Sequence, residues 1–179
     1  MRVARLHRLV ALSKTQTTHR SLADAATLLG YADRPKVGRM SDAIETLRAA
    51  RHVVVQDYPD RDIPDSLTRA GLRVTIYGGP DPADIVTCEL IEGDIVERRT
   101  GRRPDSADLL YVYRPLAEID GILAEARRLG VRTIWRQPEV GAETDPDAGQ
   151  WRQQVEAAGF GYRDAPAINE VARLLPSDR

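Results

Sequence analysis

The sequence predicts an α/β fold: a three-layer, doubly wound, mostly parallel sheet of Rossmann-like type, with a small β-hairpin insertion and a basic N-terminal extension. Three observations predict it. Short β-branched runs alternate with longer amphipathic segments, as strand–helix–strand units require. One run, Asp108-Leu109-Leu110-Tyr111-Val112-Tyr113, is apolar almost throughout, as a strand covered on both faces should be. Right-handed crossovers between such strands then place helices on both sides of the sheet.

The elements follow in order from residue 41. Asp42 can cap a helix with Glu45 three residues on, and Ile44 and Leu47 give that helix an apolar edge. His52-Val53-Val54-Val55-Gln56 is the first strand. A polar turn, Asp57 to Asp62, leads to a helix over 63–70, with Pro64 near its first turn and Gly71 after its end. The second strand is 72–77, closed by Gly78-Gly79-Pro80. The stretch 83–101 breaks the rhythm. Cys88 to Ile91, then Glu92-Gly93-Asp94, then Ile95 to Arg98 predicts a small hairpin. The apolar strand at 108–113 follows. A helix over 116–129 stops at Gly130, and Val131 to Trp135 is the next strand. A helix over about 148–158, a last short strand at 159–162 and a helix over 168–175 complete the chain.

Composition sets the class. At 179 residues and 42% hydrophobic content, one domain can bury a core of its own. A single cysteine, Cys88, leaves no disulfide framework or Cys-based zinc site and fits a reducing cytoplasm. No apolar run is long enough to span a membrane. The net charge of −1 is unevenly spread: residues 1–40 carry +6, leaving −7 for the rest. That basic segment is expected to be a flexible extension, an arm that packs elsewhere, or residues upstream of a true start at Met40. Leu22 to Tyr31 also matches the first helix and turn of a helix-turn-helix. Pro35 interrupts the place of a recognition helix and no third helix completes a core, so nucleic acid is not an expected partner.

In doubly wound sheets, ligands sit outside the carboxyl ends of the strands, near the switch point. The candidate loops are therefore 56–62, 77–80, 113–115 and 136–141. A dinucleotide loop normally carries glycine, so that backbone amides can approach phosphate. Here the first loop is Gln56-Asp57-Tyr58-Pro59-Asp60-Arg61-Asp62, without glycine, with three carboxylates and with Arg61 as its cation. The second offers Gly78 and Gly79. No G-x-S-x-G, P-loop or zinc-ligand spacing occurs, and no catalytic constellation is visible. His52 at a strand start and Cys88 in the hairpin are read as structural.

From Ser41 to Leu175 the chain resembles the small bacterial CoA-binding-domain proteins, relatives of the nucleotide-binding part of the succinyl-CoA synthetase α subunit. The resemblance is carried by Val53-Val54-Val55 with Pro59 and Pro64 in and after the next turn. It continues through Leu72-Arg73-Val74 into a Gly/Pro turn and through the Tyr113-Arg114-Pro115 step. It ends on Trp135-Arg136-Gln137, similar to the family's Trp-x-Gln-x-Gly. It implies a cytoplasmic, non-catalytic module for coenzyme A or a related nucleotide, with Gln56, Asp57, Tyr58, Arg61, Gly78, Gly79, Tyr113, Arg114 and Gln137 around the ligand. The sequence departs from the family where phosphate would lie. Gln56, Tyr58, Ile63 and Asp65 stand where the family has Gly, Ser, Arg and Ser, which predicts weaker pyrophosphate binding. The alternatives are a degenerate scaffold for a protein partner or a different small ligand, and a DNA-binding regulator using the basic arm.

Overall fold

A computed structural model describes residues 36–138 and 145–176. The expectations for residues 1–35 lie outside that range. Among the described residues, seven strands form one mixed sheet: β1 (His52–Gln56), β2 (Arg73–Tyr77), β3 (Ile85–Ile91), β4 (Asp94–Arg99), β5 (Leu109–Val112), β6 (Thr133–Arg136) and β7 (Gly161–Arg163). Five α-helices occur among the described residues: α1 (Lys36–Ala49), α2 (Asp62–Arg69), α3 (Ile119–Leu129), α4 (Ala148–Ala157) and α5 (Ile168–Ala172). The sheet order is β4-β3-β2-β1-β5-β6-β7. The strands from β2 to β7 in that order pair in parallel, while β3 and β4 pair antiparallel. None of the described helices is long and apolar enough to cross a membrane.

Period-two alternation assigns the strand residues to two cores. Val53 and Val55 of β1, with Val74, Leu109 and Trp135, face α1, α2 and α5 through Leu47, Leu67 and Ile168. Val54, with Leu110, Val112 and Ile134, faces α3 and α4 through Leu123, Ala126 and Trp151. Both tryptophans are fully buried. The central strand β1 therefore shows no polar face, which is why its valine run is continuous.

One expectation needs correction. The first helix starts at Lys36, so the boundary at Met40 falls inside a helix. Asp42 is an interior residue there, its carbonyl accepting from the Thr46 hydroxyl at 2.7 Å. The apolar stripe that fixes this helix includes Met40, half-buried against the first core beside Ala43, Ile44 and Leu47. A cap at Asp42 would expel Met40 from that stripe. The hairpin is present and longer than expected, Ile85–Ile91 with Asp94–Arg99, and it joins the sheet. β3 continues the sheet from β2, pairing Val74 with Cys88 and Tyr77 with Ile85. Glu92 and Gly93, at φ 52° and 89°, form the two-residue turn, a pair of left-handed positions that matches strand twist.

His52 packs where β1 begins, its Nε2 2.9 Å from Thr75 Oγ1. Burial, and then Arg73 nearby, lowers its pKa below 6.5. The unfolded chain therefore binds a proton more readily than the folded one as pH falls through 6.5. The stabilisation is complete above that pH and is lost progressively below it. Comparing urea midpoints at pH 7.5 and 5.5, the loss is expected to be smaller in His52→Gln than in the natural sequence.

Candidate functional site

Among the parallel strands the order is β2-β1-β5-β6-β7, so the chain leaves β1 in opposite directions to reach β2 and β5. The switch-point crevice thus lies outside the carboxyl ends of β1 and β5. Backbone pairing fixes its walls. The Tyr113 amide donates to the Gln56 carbonyl at 3.1 Å, and the Gln137 amide donates to the Val112 carbonyl at 2.9 Å.

Asp57, at the lip of β1, has a left-handed backbone at φ 63°. Its Oδ1 accepts from the Tyr58 amide at 2.8 Å, which offsets the strain of that conformation in a residue with a Cβ. Its Oδ2 lies 3.6 Å from Arg114 Nε, and Glu118 lies 3.6 Å from Arg114 Nη1. The Asp57–Arg114 pair spans the crevice. Beyond it, a cleft of about 240 Å³ opens at the ends of β5 and β6, lined by Tyr113, Arg114, Gln137, Arg136 and Asp145 among others.

Arg136 is the residue that sequence reasoning passed over. It is 5% exposed, forms an ion pair with Asp145 and lies 5.1 Å over the Trp151 ring. Its Nε makes no hydrogen bond. The Tyr162 hydroxyl sits beside it, and burial pushes that phenol up to about 12. The available signal was parity: Arg136 shares the strand face of Ile134, pointing into the second core, where an arginine needs a buried partner.

The other predicted residues lie elsewhere or do other work. Arg61 turns toward the hairpin, 2.9 Å from Asp65, paired with Glu97 and 4.0 Å from Cys88 Sγ. Tyr58 and Tyr113 are half-buried against the first core. Gly78 and Gly79 make room for Asp84: a Cβ on Gly79 would sit 2.5 Å from Asp84 Oδ2, and the Gly78 amide donates to the Asp84 carbonyl at 3.2 Å. Gln56 and Asp57 border the crevice, while Tyr113, Arg114 and Gln137 line the cleft.

The N-terminus of α2, where a nucleotide phosphate would meet amides, is already supplied with carboxylates. Asp60 Oδ1 accepts from the Asp62 amide at 2.8 Å. Asp62 in turn accepts from Ser66 at 3.1 Å, from Asn169 at 2.6 Å and from Arg173, tying α5 to α2. Asn169 foremost, with Arg173 and Ser66, holds the Asp62 carboxyl below the usual range, against its partial burial. These acids complement the helix dipole themselves and repel a second anion. Among the described residues, no group of three His, Cys, Asp or Glu is placed to hold a metal ion.

No family model matches the chain. The fold is similar to that of Prb, the PH1109 protein redesigned for binding, at a TM-score of 0.51 and 15% identity over 78% of this chain and 94% of that one. It also resembles the cell-free ID.343 protein from Thermus thermophilus, at a TM-score of 0.49 and 19% identity over 74% and 95% of the two chains.

Proposed function

We propose that the chain is a non-catalytic module for an anionic nucleotide, with coenzyme A the first candidate. The ligand is held on the β5–β6 side of the crevice by Arg114, with Tyr113 and Gln137 beside it. The observation that supports this reading is the cleft itself: it opens at the ends of the central strands and brings a half-buried arginine, a tyrosine and an amide to one wall. Such mixed polar and aromatic walls at a switch point suit a small ligand. The α2 N-terminus contributes no phosphate site, so the Rossmann-like architecture serves here without its usual phosphate loop.

A second reading is favoured by that acidic terminus. A scaffold whose phosphate site is filled by its own Asp60 and Asp62 suits a protein partner instead of a nucleotide.

Calorimetric titration of the whole chain with CoA, acetyl-CoA, NAD and ATP at low salt separates the two. Saturable CoA binding is expected, weakened about tenfold or more in Arg114→Ala, the cost of one charge-assisted contact. Asp57→Gly is expected to strengthen it several-fold, because Arg114 loses one of its two counter-charges while glycine holds φ 63° without strain. Serine at this position would keep the strained backbone. No binding of any of the four ligands would leave the scaffold reading.

A further inference from the structure

A second cavity, of about 320 Å³, lies at the other end of the strands. Its floor is the starts of β1 and β2 together with β3, and its rim is the segment 100–106. The floor is polar where a covered sheet face is normally apolar. His52 Nε2 lies 2.9 Å from Thr75 Oγ1, which lies 3.1 Å from Thr87 Oγ1. Thr75 and Thr87 are 2% and 6% exposed. Burying such a row sacrifices hydration that valines would not have needed.

The rim is basic. Arg73, Arg102 and Arg103 contribute three guanidinium groups against one carboxylate in the lining, Asp105. Glu89 lies 3.2 Å from Arg73 and Glu125 lies 3.6 Å from Arg103. Arg102 has no ion pair among the described residues. The rim is also held in place. The Thr100 amide donates to the Ile85 carbonyl at 3.0 Å, Arg128 donates to the Pro104 carbonyl at 2.9 Å, and the Ala107 amide donates to the Leu129 carbonyl at 3.1 Å. Its arginines therefore project from a segment anchored at its start, middle and end, which lowers the ordering cost of binding.

We propose that this cavity is a binding site for a small phosphate-bearing ligand with two or more negative charges, taken by Arg73 and Arg102 above the His52–Thr75–Thr87 row. Glu89 and Glu125 offset two of the three rim guanidinium groups, so Arg102, without an ion pair among the described residues, is the cation left to take an anion. Guanidinium forks and hydroxyls together match the oxygens of a phosphoryl group. The lining has Pro104 as its one aliphatic side chain and no Phe, Tyr or Trp, so neither a base nor an acyl chain would find a stacking or apolar wall. The volume lies at the lower end of small-molecule pockets. The site shares no lining residue with the cleft at the ends of β5 and β6, and does not depend on the reading of that cleft.

The test is titration of the whole chain with inorganic pyrophosphate and, separately, with malonate, followed by calorimetry and by the His52 imidazole resonances. Saturable pyrophosphate binding with His52 shifts is expected, and malonate should bind at least tenfold more weakly. Arg73→Gln with Arg102→Gln should raise the pyrophosphate Kd at least tenfold at an unchanged melting temperature, since both side chains are exposed. Arg114→Ala should leave the pyrophosphate-induced His52 shifts and their midpoint unchanged. The proposal is overturned by an absence of saturation, by equal malonate binding, by a double variant that binds as the natural sequence does, or by loss of the His52 shifts in Arg114→Ala.

Discussion

Asp145→Ala is expected to cost about 3–5 kcal/mol of unfolding free energy, read from urea denaturation, because it leaves the Arg136 charge buried and unpaired. Arg136 is 5% exposed and Asp145 17%, so water replaces little of what the carboxylate supplied. The same substitution removes the acceptor of the Asp147 amide at the start of α4, 3.1 Å from Asp145 Oδ1. A second variant separates the charge from the packing. Arg136→Met with Asp145→Leu removes both ions and keeps an apolar chain over Trp151. It is expected to recover most of the loss, since a buried pair contributes little net stability over apolar replacements of similar volume. If the double variant is as unstable as Asp145→Ala, the pair is not the cause.

Glu125→Gln should cost about 2 kcal/mol at pH 7, with the difference disappearing in acid. Glu125 is 7% exposed and joins β2 to α3 and the 100–106 segment. Its Oε1 accepts from Tyr77 Oη at 2.8 Å and from Arg128 Nη2 at 2.6 Å, while Oε2 accepts from Arg128 Nε at 2.8 Å. A glutamine keeps one acceptor and turns a donor toward the Arg128 fork. The Arg128 hydrogen bonds, foremost, hold the Glu125 carboxyl below 4.5 in the fold, against its burial. A depressed carboxylate stabilises fully above its unfolded pKa and loses that contribution as pH falls through the folded one. The natural sequence and the variant should therefore converge in stability as pH falls from 5 toward 3. A constant difference across that range would show that shape, not charge, sets the effect.

Most of the architecture was legible because its signals are local. The β1 limits follow from Val53-Val54-Val55, and the hairpin turn follows from the Glu92-Gly93 step between β-branched runs. The limits of α1 were obscured because Ser41-Asp42 imitates a cap, and only the packed stripe beginning at Met40 decides otherwise. The site was legible as a set of loops and not as contacts. Tyr113, Arg114 and Gln137 do meet at one cleft, because parallel pairing carries β5 and β6 to the same end of the sheet. Arg61 could not be separated from them in sequence, since its direction depends on Glu97 in a strand far along the chain. Asp57 conceals a glycine-like backbone under an acidic side chain. The pairing of Arg136 with Asp145 crosses a stretch with no periodic signal.

The hairpin has a consequence for how the sheet ends. Among the described residues β4 pairs with β3 on one side only, so its other side presents amides and carbonyls without a neighbouring described strand. An open row of that kind is a template for a second chain. Here Asp94, Glu97, Arg98 and Arg99 are all exposed along it, charges of both signs on a six-residue strand. An incoming strand would have to match that pattern or desolvate it. The opposite edge, β7, has three residues and offers too little length to seed pairing. The growth of the sheet is thus stopped by charge at one border and by brevity at the other.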